Sequence, residues 1–309
     1  MEKEKIIFIG TPEFAVPILE ALINNNYKPI LVITIPDKPI GRKQIITPSP
    51  VKITAQKYDI SVVQPEKIAD FRDELLKLSP DLIVVAGYAQ FLSKEILEIP
   101  KYGCINIHPS LLPKYRGASP IQYAILNGEK ETGTTIILMD EKMDHGKIIA
   151  QRKLEIKEEK ITFQDLSKKL SALSSSLLIE IIPDWTHGKI KALSQDNSKA
   201  TFTKILNKED GRIDWKEPAE NIERKIRALN PWPGTFTLLD SKILKILKAE
   251  IIQKKEKPGK VFQSENKKLS VGCGENSLIL EELQLEGKNP VTGIDFLRGH
   301  QNIVSQNLG

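Results

Sequence analysis

The chain has 309 residues, 40% hydrophobic and 28% charged, with a formal net charge of +5 at pH 7. That composition excludes a disordered or fibrous polymer and leaves room for two domains, each with its own core. No apolar run approaches the roughly 20 residues that cross a bilayer, and two cysteines, Cys104 and Cys273, make neither a disulfide framework nor a Cys/His cluster of zinc-ligand spacing.

The charged start, Met1-Glu2-Lys3-Glu4-Lys5, leads into an apolar stretch broken by Gly10, Pro12 and Glu13. A signal peptide needs a longer apolar segment, so a cytoplasmic protein is expected. Ile6-Ile7-Phe8-Ile9 reads as a strand buried on both faces of a parallel sheet. Phe14, Ile18 and Leu22 follow at helical spacing up to Asn24-Asn25-Asn26. Further strands are predicted at Ile30–Ile33, Ser61–Val63, Leu82–Val85, Gly103–Ile107 and Thr134–Met139, with helices near 51–58 and 70–78. Strands interleaved with helices predict an α/β fold with a doubly wound, mostly parallel, Rossmann-like sheet. Thr162-Phe163-Gln164-Asp165 opens a long helix in capping-box fashion, and its stripe from Phe163 to Ile181 is expected to pack on this sheet.

From His187 to Lys204 the chain turns polar and reads as a linker. Beyond it come one helix pattern, Glu220 to Leu229, and short strand-like runs at Ile243–Ile252, Lys260–Phe262, Leu269–Val271 and Leu278–Leu280. They predict a smaller β-rich, OB-like barrel. The expected division is therefore a catalytic domain over 1–187, a linker over 188–204 and a second domain over 205–309.

Asn106 and His108 lie two residues apart at the end of the Gly103–Ile107 strand, so their side chains share one face. The carboxyl edge of an open α/β sheet is where ligands bind. Asp144 follows the next predicted strand and is expected in a loop at that same edge, beside Asp140 and His145 as competing candidates. An amide and an imidazolium aimed at one point stabilise an oxyanion, and a neighbouring carboxylate orients the imidazole or accepts a proton. No Ser, Cys or Thr stands out as an activated nucleophile, which favours direct acyl transfer over a covalent intermediate. Cys104, one pleat deeper, reads as core. The first turn, Gly10-Thr11-Pro12-Glu13-Phe14, is not a G-x-G-x-x-G turn, so NAD is not expected. Neither is a metal.

The run Asn106-Ile107-His108-Pro109-Ser110-Leu111-Leu112-Pro113, with Met143-Asp144-His145-Gly146, resembles the signature of the folate-dependent formyltransferase family. The resemblance implies a catalytic trio of Asn106, His108 and Asp144. It also implies a folate-lining segment of Ser110, Leu111, Leu112 and Pro113, with 10-formyltetrahydrofolate as formyl donor. Gly10–Pro17, the segment from Pro36 to Lys52, and Arg212–Trp215, Arg227–Gly234 and Gly293–Phe296 resemble the branch that acts on methionyl-initiator tRNA. There the basic segment, with Arg42, Lys38 and Lys43, is implied to enter the tRNA acceptor end. The sequence departs from the family pattern at Gly87–Ser93, at Gln44-Ile45-Ile46 and at His145.

Between Ser241 and Lys268 nine lysines stand against Glu250, Glu256 and Glu265. That surplus suits a phosphate backbone or simply a solvated face. A small amine acceptor, such as glycinamide ribotide or an amino sugar, and a non-catalytic RNA-binding role are the competing functions. Nothing in the sequence calls for a membrane or an obligate protein partner, and a monomer is expected.

Overall fold

A computed structural model describes residues 4–41, 44–265 and 267–309. Contacts divide the chain into two units. The first comprises Met1–Pro120, Glu131–Glu155 and Leu166–Thr203; the second comprises Ile121–Lys130, Ile156–Asp165 and Lys204–Gly309.

The first unit is built on a seven-stranded sheet. Its strands are β1 (Ile6–Gly10), β2 (Leu31–Ile33), β5 (Val62–Val63), β6 (Leu82–Ala86), β7 (Cys104–His108), β9 (Glu131–Leu138) and β10 (Lys147–Glu155). Between them lie a small hairpin, β3 (Lys38–Ile40) with β4 (Ile45–Thr47), and the short β8 (Arg116–Gly117). The order across the sheet is β10-β9-β7-β6-β1-β2-β5. From β5 to β7 every pairing is parallel. β1 is central and buried on both faces, which is why it carries no polar residue.

Two apolar layers sandwich the sheet. On one face Ile6, Phe8, Ile105, Ile107 and Ile136 pack with Ile18 and Leu22 of α1 (Val16–Asn24), Val51 and Ala55 of α2 (Pro50–Lys57), and Leu177, Leu178, Ile181 and Ile182 of α6 (Phe163–Thr186). On the other, Ile7, Ile9, Ile83, Val85 and Cys104 pack with Leu75 of α3 (Arg72–Leu78) and Ile96 of α4 (Lys94–Leu97). Alternate residues of β7 thus enter different cores, as a two-residue period requires. α6 is anchored by its apolar stripe and by the buried Thr134–Ser174 hydroxyl pair, 2.7 Å apart.

Two features differ from the sequence reading. β9 runs antiparallel to β7, and β10, which was not predicted, completes an antiparallel edge hairpin. Only the outer face of β10 is wet, and its run Lys147–Glu155 alternates too weakly to announce a strand. Residues 188–203, read as a linker from their polarity, bond into the first unit. Leu193 bridges Ile148, and β11 (Phe202–Thr203) pairs in parallel with β8. Polar side chains here serve buried hydrogen bonds, so composition alone misreads the segment.

The second unit is a curled antiparallel half-barrel of order β12-β13-β16-β15-β14, with β17 beside β16. Its strands are β12 (Thr235–Leu239), β13 (Lys242–Ile252), β14 (Val261–Gln263), β15 (Leu269–Gly272), β16 (Ser277–Leu285) and β17 (Val291–Thr292). Ile222 and Ile226 of α7 (Ala219–Leu229) and Phe296 of α8 (Gly293–Gly299) close over Leu244, Ile246, Val271 and Leu280. Trp215 joins that core, its indole N–H donating to Thr237 Oγ1 at 3.0 Å. Of the lysines on this unit, Lys248 pairs with Glu281 and Lys260 with Glu256.

Candidate active site

β7 ends at the carboxyl edge of the parallel strands, where β6 also ends beside the turn after β1. Cys104, Asn106 and His108 share one pleat face, and His108 is only 4% exposed. Its Nε2 lies 2.8 Å from the Tyr115 carbonyl oxygen. A carbonyl only accepts, so Nε2 carries the hydrogen and Nδ1 is the nitrogen turned to the site. Nδ1 faces Asp144 Oδ1 at 3.6 Å, close enough for an ion pair when the ring is charged but long for a direct hydrogen bond. Tyr115 holds its carbonyl there from a left-handed backbone conformation (φ +61°), and its N–H donates to Thr201 Oγ1 at 2.8 Å.

Asn106 Nδ2 donates to Asp144 Oδ1 at 3.2 Å, and the Gly117 N–H donates to Asp144 Oδ2 at 2.7 Å. The carboxylate is thereby held by two donors while facing the imidazole. The three side chains singled out from sequence converge, but by a different route from the one expected. Because β9 is antiparallel, it leaves the sheet level with Ile105, at the end of β7 away from His108. The β9–β10 connection must fold back along the sheet to return Asp144 to the carboxyl edge. Asp144 is itself left-handed (φ +48°), a conformation that costs an ordinary residue roughly 1–2 kcal/mol. Gly146 lets the connection close, since a Cβ there would lie 1.9 Å from the Leu138 carbonyl oxygen.

Asp140 and His145 engage one another instead, Nδ1 to Oδ2 at 2.6 Å, with both side chains partly exposed. Cys104 is buried in the core, which pushes its thiol up to about 12.

The segment implied to line a folate is pinned to the edge hairpin. Thr135 Oγ1 donates to the Ser110 carbonyl (2.6 Å) and accepts from the Leu112 N–H (3.1 Å), while Gln151 Nε2 donates to the Leu112 carbonyl at 2.9 Å. Ser110 and Leu112 are buried, the Ser110 hydroxyl donating to the Lys114 carbonyl, whereas Leu111 and Pro113 are half-buried. The neighbouring stretch Gly87–Ser93 leaves the end of β6 through Gly87 (φ +60°), packed against the Pro12 ring. Phe91 there is 68% exposed, and burial pushes the Tyr88 phenol up to about 12. A groove of about 570 Å³ lies elsewhere, at the far end of β7, lined by Tyr102, Gly103, Leu138, Met139 and Trp185. None of the trio borders it.

In the basic segment, Lys38 is exposed at the start of the β3–β4 hairpin, while Arg42 and Lys43 lie outside the described residues. Lys52 is not a free cation: its Nζ bonds Asp37 at 2.6 Å and Gln64 at 2.7 Å, and that pairing holds the Asp37 carboxyl below the usual carboxylate range. Ile45 and Ile46, 60% and 70% exposed, stand near the hairpin's tip.

Sequence reasoning missed the groups that hold the trio: Tyr115, Gly117, Gln195 and Thr201. Gln195 Nε2 donates to the Asp144 carbonyl at 2.8 Å and to the Gly146 carbonyl at 2.7 Å. Its only sequence signal is a lone amide in a polar stretch, which no pattern distinguishes from a surface residue.

Two family models match the chain, formyl transferase over residues 4–182 and formyl transferase, C-terminal domain, over 205–301. A methionyl-tRNA formyltransferase of Bacillus velezensis is 44% identical over 96% of this chain and 94% of its own length. One of Caldanaerobacter subterraneus is 46% identical, over 96% and 97%. Among solved structures, an N-formyltransferase from Helicobacter canadensis in complex with folinic acid and dTDP-3-aminofucose aligns with a TM-score of 0.66 at 22% identity, over 90% of this chain and 98% of that one. HypX from Aquifex aeolicus, in complex with tetrahydrofolic acid, aligns with a TM-score of 0.66 at 16% identity, over 99% of this chain and 49% of that one. At such identities the structural matches speak to the fold alone.

Proposed function

This chain belongs to the formyltransferase family, and from that premise we propose that it transfers a formyl group from 10-formyltetrahydrofolate to the α-amino group of methionyl-initiator tRNA. The observation that carries the reading is full-length similarity, through both domains, to relatives named for that reaction. The site is compatible with it: polar donors and a carboxylate converge at a half-buried sheet edge, without a nucleophile that would form a covalent intermediate.

The donor supplies a formyl carbon that is open to attack by an amine. The amine nitrogen adds to that carbon, its carbonyl oxygen takes the negative charge, and the bond to the folate nitrogen breaks as the charge returns. Asn106 uses the amide hydrogen not given to Asp144, and His108, charged and with Nε2 held by Tyr115, uses its Nδ1 face; together they stabilise the oxyanion. Asp144 balances the imidazolium and accepts the proton that the amine must lose. The proton that Asp144 takes from the amine passes to the folate nitrogen as it leaves, so the carboxylate is regenerated and no net charge is created. Leu111 and Pro113, the half-buried members of the Ser110–Pro113 segment, face the folate in this reading. Lys38, Arg42 and Lys43 meet tRNA phosphates, with the lysines of β13 as a second basic surface.

No helix among the described residues is long and apolar enough to cross a membrane, and the proposed substrates place the work in the cytoplasm. The deciding experiment offers the protein 10-formyltetrahydrofolate with methionyl-initiator tRNA or with glycinamide ribotide. Formylation of the tRNA alone is expected. Formylation of the small amine, or of neither, overturns the proposal.

A further inference from the structure

Gln195 lies in the segment whose composition reads as a linker, yet it is only 8% exposed. Its amide hydrogens fork onto two carbonyls of the β9–β10 connection, those of Asp144 and Gly146. Its oxygen accepts from Arg116, Nε at 3.1 Å and Nη2 at 2.7 Å. Arg116 is 4% exposed, and its Nη2 also donates to Asn197 Oδ1 at 2.8 Å. The next residue along, Gly117, is the one whose N–H holds the Asp144 carboxylate. Backbone and side chain of Asp144 are thus fixed from one short stretch, 116–117, the backbone through Gln195.

We propose that Gln195 is a positioning residue for Asp144, oriented by Arg116; the inference rests on the reading of Asp144 as the proton acceptor. The chemistry explains why an amide stands here. Only Asn and Gln combine two donor hydrogens with an acceptor oxygen, and Gln195 uses all three of these groups at once. The connection folds back over the sheet through a left-handed Asp144, and its internal side-chain bonds join Asp140 to Lys142 and His145, none of them holding the backbone carbonyls of 144 and 146. Displacing a catalytic group by about 1 Å costs up to roughly a hundredfold in rate. A fork on the carbonyls at 144 and 146 removes that freedom on both sides of the carboxylate.

Two variants separate positioning from folding. Gln195→Glu keeps the acceptor for Arg116, now as an ion pair, but cannot donate to the two carbonyls. Gln195→Ala loses both sets of bonds. With wild type, each is assayed for kcat, KM for both substrates and thermal midpoint. Gln195→Glu is expected to fold, with both KM values within about twofold of wild type, while kcat falls about tenfold or more. Gln195→Ala is expected to lose at least as much kcat, with a lower midpoint. A normally folded Gln195→Glu with wild-type kcat overturns the inference, as does a rise in KM that accounts for the whole effect. If wild type formylates only the small amine, the functional reading fails separately, and Gln195 is tested with that amine.

Discussion

Replacing Asp144 by Asn tests the central step, because it changes the charge while nearly preserving the shape. The carboxylate uses Oδ2 for the Gly117 N–H at 2.7 Å and Oδ1 for Asn106 at 3.2 Å, with His108 Nδ1 at 3.6 Å. An amide has one oxygen, and the shorter bond to Gly117 claims it. Its NH2 then points at the Asn106 amide and the imidazole, where two donors meet and no charge balances His108. A unit-charge pair at that separation is worth about 4–5 kcal/mol gross at an effective dielectric of 20, before desolvation is subtracted. Loss of a positioned proton acceptor costs about 10²–10⁴ in rate. We therefore expect kcat for formylation of methionyl-initiator tRNA to fall about a thousandfold. The retained Gly117 bond should hold the thermal midpoint within about 3 °C and both KM values within a few-fold. Single-turnover formylation and a thermal melt on the same preparation check this. A kcat within tenfold of wild type would refute the assigned role.

Three other outcomes follow from the geometry. Gly146→Ala puts a Cβ 1.9 Å from the Leu138 carbonyl oxygen; displacing the connection should cost about 1–3 kcal/mol and lower kcat, and an unaltered melt and rate would contradict it. Leu178→Ala empties a fully buried site on α6, at a cost of about 2–5 kcal/mol; calorimetry should show the first unit's transition falling by about 5–10 °C, and a shift under 2 °C would mean that the helix is not a core element. Cys104, 1% exposed with its thiol pushed up to about 12, is almost wholly un-ionised at pH 8; intact-mass analysis should find it unalkylated by iodoacetamide until denaturant is added, whereas rapid labelling of native protein would place the strand wrongly.

Much of this protein is written locally. Ile6–Ile9 and Leu82–Val85 read as central strands because a strand buried on both faces admits no polar residue, and Asn106 and His108 were bound to share a face because the strand period is two. The long helix from Phe163 was equally visible in its apolar stripe. Strand direction was not, since periodicity carries no sign. Periodicity therefore makes β9 another parallel strand, and puts Asp144 at the carboxyl edge for a reason the antiparallel hairpin removes. The hold on the site was hidden for a related reason. His108 is oriented by the Tyr115 carbonyl and Asp144 by the Gly117 N–H and the Gln195 amide, bonds between segments up to 51 residues apart. Backbone donors and acceptors are the same for almost every residue type, so their alignment leaves no mark on composition. The sequence by itself determined which side chains are candidates for the chemistry and which faces they share; only the tertiary structure decided how the chain returns Asp144 to His108, and that a polar stretch resembling a linker holds it there.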